Sequence, residues 1–99
     1  MKPSIGLAAL IILCASPTSA SAIDIPPAGA AGCSGCHPTG RSVETPVTRL
    51  NGRNASDIVT AMQEFRSGQR PGTVMDRIAK GFTDDEIKAI AAWYAKQKD

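Results

Sequence analysis

The chain has 99 residues, of which 42% are hydrophobic and 20% charged, and its formal charge is +2. This length allows one domain at most. The near-neutral charge argues against a protein that binds nucleic acid through a basic surface.

Residues 1–22 have the organisation of a secretory signal peptide. Lys2 supplies a positive charge, residues 5–15 form an apolar run, and residues 20–22 (ASA) are small, as at a cleavage site. The run is shorter than the ~20 apolar residues that span a bilayer, which disfavours an uncleaved anchor. We therefore expect a cleaved leader, a single domain over residues 23–99, a periplasmic location and no membrane insertion after cleavage.

The mature chain is short for an independently folding domain. It would have 77 residues, with ten Lys and Arg against nine Asp and Glu, because Lys2 leaves with the leader. Domains of this size usually need a disulfide, a metal or another staple. Only Cys33 and Cys36 remain after cleavage, so no disulfide framework is available. A bulky cofactor would supply the missing core.

Residues 33–37 read CSGCH, a pattern typical of covalent haem attachment. Two thiols three residues apart can add to the two vinyl groups of one porphyrin, while the adjacent imidazole reaches the iron. A zinc site would lack a fourth ligand, and a dithiol redox motif expects a βαβ setting. We therefore predict one haem c, bound covalently by Cys33 and Cys36, with His37 as an iron ligand.

The segments around this motif predict short helices and a loop. Two prolines precede a first helix that we place at residues 28–36, and residues 38–52, with two prolines and two glycines, read as a loop. A second helix begins after Asn54, a good N-cap, and ends at Gly68, which accepts a left-handed conformation.

Two further helices follow. Residues 75–80 predict a short helix closed by Gly81. Thr83 and Glu86 form a capping box for a last helix over residues 84–97. The buried face of that helix should contain Ile87, Ile90, Ala91 and Tyr94. No strand pattern is present, so the prediction is an all-α fold with three to five short helices around one haem.

The second axial ligand must be a methionine, because His37 is the only histidine. Met62 lies on the apolar stripe of the second helix, where core packing explains it. Met75 follows a Pro-Gly turn at a loop-to-helix junction, where a thioether can be aimed at a metal. We predict Met75 as the ligand. Ligation by His37 and Met75 would leave no open position on the iron, so the expected function is one-electron exchange at a raised reduction potential.

Two features near the predicted iron have alternative interpretations. The carbonyl of Pro46 could accept a hydrogen bond from the other nitrogen of His37, or Pro46 could be an ordinary loop proline. Four basic residues could form a cationic rim, although solvated surface charge is the simpler explanation. These residues are Arg66, Arg70, Arg77 and Lys80.

The chain resembles class I c-type cytochromes. The similarity lies in CSGCH and in three later segments: FRSGQR at residues 65–70, TVMDRIAKG at 73–81 and IAAWYA at 90–95. Within this family it is most similar to the monohaem cytochrome subunits of flavocytochrome c sulfide dehydrogenases. The resemblance implies haem c on Cys33 and Cys36, and iron ligation by His37 and Met75.

The resemblance also implies a periplasmic FAD-containing flavoprotein partner that oxidises sulfide, and a downstream electron acceptor. The chain would be an electron-transfer subunit without a catalytic residue of its own. The alternative is a free periplasmic shuttle that serves several redox partners through weak, salt-sensitive contacts. A haem-based enzyme or gas sensor is a third possibility, and it requires an open iron site.

Overall fold

The computed structural model describes residues 24–40 and 44–98, together with residues 1–4, 6, 12, 15 and 16. The predicted cleavage site at residues 20–22 lies outside the described residues. No helix in the described part of the chain is long and apolar enough to cross a membrane.

The described residues form helices joined by loops. In chain order the helices are α1 (Ala30–Cys33), α2 (Ala55–Ser67), α3 (Met75–Ala79) and α4 (Asp84–Lys96). Within the described ranges no residue lies in a strand. The predicted all-α class is therefore confirmed.

The ends of α2 follow the local signals. The Asn54 side chain accepts a hydrogen bond from the backbone N–H of Ser56 at 2.9 Å, so it caps the first turn. At the other end Gly68 has φ +84°, and its N–H bonds to the carbonyl of Phe65. Glycine adopts this left-handed conformation without steric cost, which ends the helix.

A capping box begins α4, as predicted. The backbone N–H of Glu86 donates to the Thr83 hydroxyl at 3.2 Å, and the Glu86 carboxylate accepts from the Thr83 N–H at 3.0 Å. The predicted boundaries of α3 and α4 agree with the structure to within one residue.

The first helix is shorter than predicted. It covers Ala30–Cys33 and not residues 28–36. Its start is later because Gly29 has φ +86° and cannot continue a right-handed helix, and at its other end residues 34–36 form turns. Its α-carbon lies so close to Phe82 that a Cβ there would be 2.6 Å from the ring. A tertiary contact therefore sets the start of α1.

The core lies where α2 and α4 meet α1. Helix α2 packs against both α3 and α4. The predicted buried face of α4 is confirmed, since all four of its residues are buried. The residues of the central cluster are Ala30, Ile58, Ile90, Ala91 and Tyr94.

Candidate haem site

The motif CSGCH folds as one compact turn at the end of α1. The N–H of His37 donates to the carbonyl of Cys33 at 2.9 Å, and the N–H of Cys36 donates to the same oxygen at 3.2 Å. These bonds bring the two thiols and the imidazole into one turn of backbone. Both thiols are free, with Cys33 half-buried and Cys36 exposed.

The surface of this turn is built from small residues. Gly32 and Gly35 are both exposed, and a Cβ added to Gly32 would meet nothing within 4 Å. A flat group can therefore approach the backbone of α1 closely. This surface fits a macrocycle attached through the neighbouring sulfurs.

The Cys33 thiol is the more protected of the two. Its Sγ donates weakly to the Gly29 carbonyl at 3.6 Å. Burial raises the pKa of the Cys33 thiol, and this effect outweighs the opposing hydrogen bond with Tyr94. The unattached thiol is therefore protonated at neutral pH.

A backbone carbonyl fixes the orientation of His37. The Nδ1 atom of the ring is hydrogen-bonded to the carbonyl oxygen of Thr48. A carbonyl only accepts, so Nδ1 carries the proton and Nε2 keeps its lone pair for a metal. The suggested acceptor, Pro46, was wrong, because the carbonyl that reaches the ring belongs to Thr48, two residues further along the chain.

The two methionines lie in different surroundings. Met62 packs against the core cluster from α2, as predicted. Met75 is the first residue of α3, is half-buried, and follows Val74, which caps the helix without a side-chain bond. Met75 thus belongs to a different element from the turn that holds His37.

The donor set suits a group larger than a single ion. Among the described residues, no three Cys, His, Asp or Glu side chains are arranged to hold a metal ion directly. Two thiols on a surface of small residues and an imidazole with one free nitrogen fit haem c, which takes sulfur at its edge and nitrogen at its iron.

Comparison with known proteins agrees with this chemistry. The cytochrome subunit of sulfide dehydrogenase from Chlorobaculum tepidum is 39% identical over 62 residues, which cover 63% of this chain and 56% of that subunit. Cytochrome c-554(548) from Halomonas halodenitrificans is 33% identical over 70 residues, or 67% of this chain and 84% of that cytochrome. The chain belongs to the monohaem c-type cytochromes.

The same comparison gives a more distant relative among sulfur-oxidation proteins. The thiosulfate dehydrogenase electron acceptor of Stutzerimonas stutzeri is 33% identical over 67 residues, which are 64% of this chain and 31% of that protein. No family model matches the sequence. The cytochrome is thus an electron carrier related to the cytochrome subunits of sulfide and thiosulfate dehydrogenases.

Tyr94 supports the CSGCH turn through hydrogen bonds, whereas the sequence predicted only that it would be buried in the core. Its hydroxyl donates to the carbonyl of Ala30, and it is also bonded to the Ser34 hydroxyl at 2.9 Å. Burial raises the pKa of Tyr94, so the phenol stays protonated and can donate. One signal in the sequence could have indicated these bonds. The buried face of α4 contains a tyrosine instead of an aliphatic residue, and a buried tyrosine hydroxyl usually has a hydrogen-bond partner.

Two of the four basic residues that flank Met75 in the sequence form ion pairs. Arg66 pairs with Asp84, and Arg70 pairs with Glu64 at 2.7 Å. Arg77 and Lys80 are exposed, and in the part of the cytochrome that the structure describes neither side chain has an ion pair. Any cationic rim therefore consists of these two residues.

Proposed function

We propose that this cytochrome has the class I fold and carries single electrons in the periplasm on one haem c. Cys33 and Cys36 would hold the haem covalently, and His37 and Met75 would be its axial ligands. The observation that carries this proposal is the bond from His37 Nδ1 to the Thr48 carbonyl, because it presents Nε2 as a metal ligand beside two free thiols.

The bound haem would supply reversible exchange of one electron between ferric and ferrous iron. The protein residues do the rest. Thr48 keeps the imidazole in one tautomer and one orientation, while the α2–α3 packing supports Met75. A thioether ligand raises the reduction potential, and two protein ligands leave no position for oxygen or peroxide.

Substitution of the two methionines tests the ligand assignment. In the holo-cytochrome, Met75→Ala should abolish the methionine-to-iron charge-transfer band and open the ferrous iron to carbon monoxide. Met62→Ala is the matched control, and it should keep the band while the fold loses stability through a packing defect. The reverse pattern would overturn the assignment, and carbon monoxide binding to the reduced wild type would favour an enzyme or gas sensor.

The electron donor that we propose is a periplasmic FAD-containing sulfide dehydrogenase subunit. Support comes from the 39% identity to the cytochrome subunit of sulfide dehydrogenase from Chlorobaculum tepidum, although the match covers about half (56%) of that protein. Electrons would pass from flavin to this haem and then to a downstream acceptor. No residue of the cytochrome contacts sulfide in this scheme.

A free electron shuttle is the second candidate. The fuller coverage of cytochrome c-554(548), at 84% of its length, favours this alternative. The charges of Arg77 and Lys80 are exposed and have no ion pair among the described residues, which suits weak docking to acidic partners.

Purification of the native cytochrome from periplasm distinguishes the two. A co-eluting flavin-containing chain that reduces the haem when sulfide is added would support the subunit. A lone monomer whose reduction slows as salt rises, and slows less after Arg77→Gln and Lys80→Gln, would support the shuttle. N-terminal sequencing of the same material tests the proposed leader, and an intact Lys2 would refute cleavage after residue 22.

A further inference from the structure

The segment that carries Met75 is fastened to the last turns of α2 at both of its ends. On the upstream side, Arg70 Nε donates to Glu64 Oε2 at 2.8 Å, and the Arg70 N–H donates to the Glu64 carbonyl at 3.2 Å. The Arg70 guanidinium also lies 5.6 Å from the centre of the Phe65 ring. These contacts tie the loop after α2 back onto the helix.

Arg66 makes the downstream attachment. Its Nη1 donates to the carbonyl of Phe82 at 3.1 Å, and its Nη2 donates to the carboxylate of Asp84. Both acceptors lie just beyond α3, at the entry to α4. One planar guanidinium thus holds two points of the chain at once, which a lysine could not do with the same geometry.

The backbone between Met75 and Phe82 is continuously hydrogen-bonded. Ile78 donates to the carbonyl of Val74 at 3.0 Å, Gly81 donates to that of Ile78 at 3.0 Å, and Phe82 donates to that of Ala79 at 3.4 Å. A displacement of the Phe82 carbonyl would therefore be passed along this run to the start of α3.

The Phe82 side chain connects the same point to the haem-attachment helix. Its ring lies against Gly29, the residue that precedes α1, and packs against the core cluster. The Arg66–Phe82 bond therefore joins the segment of Met75 to the element that ends in Cys33.

We propose that Arg66 is a positioning residue for Met75. By holding the downstream end of the Met75 segment against α2, Arg66 keeps the thioether of Met75 on the iron. This inference rests on the proposed ligation by Met75. Asp84 is the partner that orients the guanidinium, and the two side chains are 31% and 57% exposed, so the attachment is accessible to substitution without opening the core.

The test measures how readily an external ligand replaces the thioether. Imidazole binds ferric iron only in molecules whose methionine has left, so its apparent Kd falls as that fraction rises. In the holo-cytochrome, Arg66→Gln should lower the imidazole Kd about tenfold, as expected when a charge-assisted double hydrogen bond is lost. Asp84→Asn, which keeps an oxygen acceptor, should lower it about threefold.

Three further variants separate positioning from general stability. Arg66→Lys keeps the charge but carries its donors on a single nitrogen, so it should restore part of the wild-type Kd. Arg53→Gln removes an exposed charge before α2 and should leave the Kd unchanged. Asn54→Ala removes the cap at the far end of α2, so it should lower the unfolding midpoint but not the Kd.

The outcomes discriminate between the two proposals. Met75→Ala should bind imidazole most tightly of all, and a wild-type Kd in that variant would refute ligation by Met75. If Met75→Ala binds tightly while Arg66→Gln behaves like Asn54→Ala, ligation stands and the positioning role is wrong. If Arg66→Gln does not fold, Asp84→Asn decides the question alone, and an unchanged Kd there overturns the proposal.

Discussion

The hydroxyl of Tyr94 donates a hydrogen bond to the carbonyl of Ala30, which links the last helix to the helix that ends in Cys33. Both residues are buried, with exposures of 3% and 0%, so water cannot replace the bond when it is lost. A second bond, between the same hydroxyl and Ser34, reaches into the CSGCH turn itself.

Tyr94→Phe removes these bonds and keeps the ring. We expect it to destabilise the holo-cytochrome by about 1–2 kcal/mol, because the buried Ala30 carbonyl loses a donor. Urea unfolding followed by circular dichroism and by the Soret band gives the measurement. Ser34→Ala is the matched control, and it should cost less because Ser34 is exposed. Equal stability of Tyr94→Phe and the wild type would show that the bond has no energetic role.

Substitutions at Gly29 and Gly68 allow the free-energy cost of backbone strain to be measured separately from that of a steric contact. Gly29 and Gly68 have nearly the same left-handed φ, +86° and +84°, but only Gly29 has neighbours within 4 Å of an added Cβ. Gly68→Ala should therefore cost only the left-handed conformation, about 1–2 kcal/mol. Gly29→Ala should cost that amount plus about 1–3 kcal/mol, because the Phe82 ring must move out of its packing.

The comparison requires free energies of unfolding for both variants in the same urea series. We expect Gly29→Ala to lose more free energy of unfolding than Gly68→Ala. We also expect it to change the near-ultraviolet circular dichroism of the aromatic residues. Equal losses in the two variants would mean that the Gly29–Phe82 contact relaxes without cost.

Local chemistry explains which parts of the fold were predictable. The ends of α2 and the start of α4 are fixed by side chains one to four residues away, and Asn54, Gly68 and the Thr83–Glu86 pair were read correctly from the sequence. The period of apolar residues also identified the buried face of α4, because burial of a regular helix follows its repeat.

Long-range contacts explain the errors. The start of α1 depends on Phe82, which is 53 residues beyond Gly29, and no local pattern encodes that distance. The His37 acceptor depends on the register of an irregular loop, so the sequence indicated Pro46 where the fold brings Thr48.

The contacts of Arg66 and Tyr94 could not be predicted for the same reason, because their partners are distant in the sequence. The sequence predicted Arg66 as solvated surface charge, or else as part of a cationic rim, but it is paired with Asp84, 18 residues further on. The bond from Tyr94 to Ala30 spans 64 residues. The CSGCH motif predicts haem attachment from five adjacent residues, whereas the contacts that support its turn in the fold are tertiary.

The capping box should make stability depend on pH. The hydrogen bond from the Thr83 backbone N–H holds the pKa of Glu86 below its ordinary value near 4.5. Because the folded pKa is the lower one, the unfolded chain binds more protons in the interval between the two values, so stability decreases as the pH falls through that interval. The contribution is complete above about pH 4.5.

Glu86→Gln isolates this contribution, because the amide oxygen can still accept from Thr83 but cannot titrate. The wild type should be more stable than Glu86→Gln at pH 6, and the difference should shrink as pH falls below about 4.5. Asp84, whose pKa is lowered by its hydrogen bond with Arg66, adds a change of the same sign in both proteins.

Urea midpoints of the ferric cytochrome between pH 3.5 and 7 give the measurement. Asn54→Ala is the control, because it removes a cap that carries no titratable group. Its loss of stability relative to the wild type should be the same at every pH in this range. A constant difference between the wild type and Glu86→Gln at every pH would show that the carboxylate of the capping box does not couple folding to protonation.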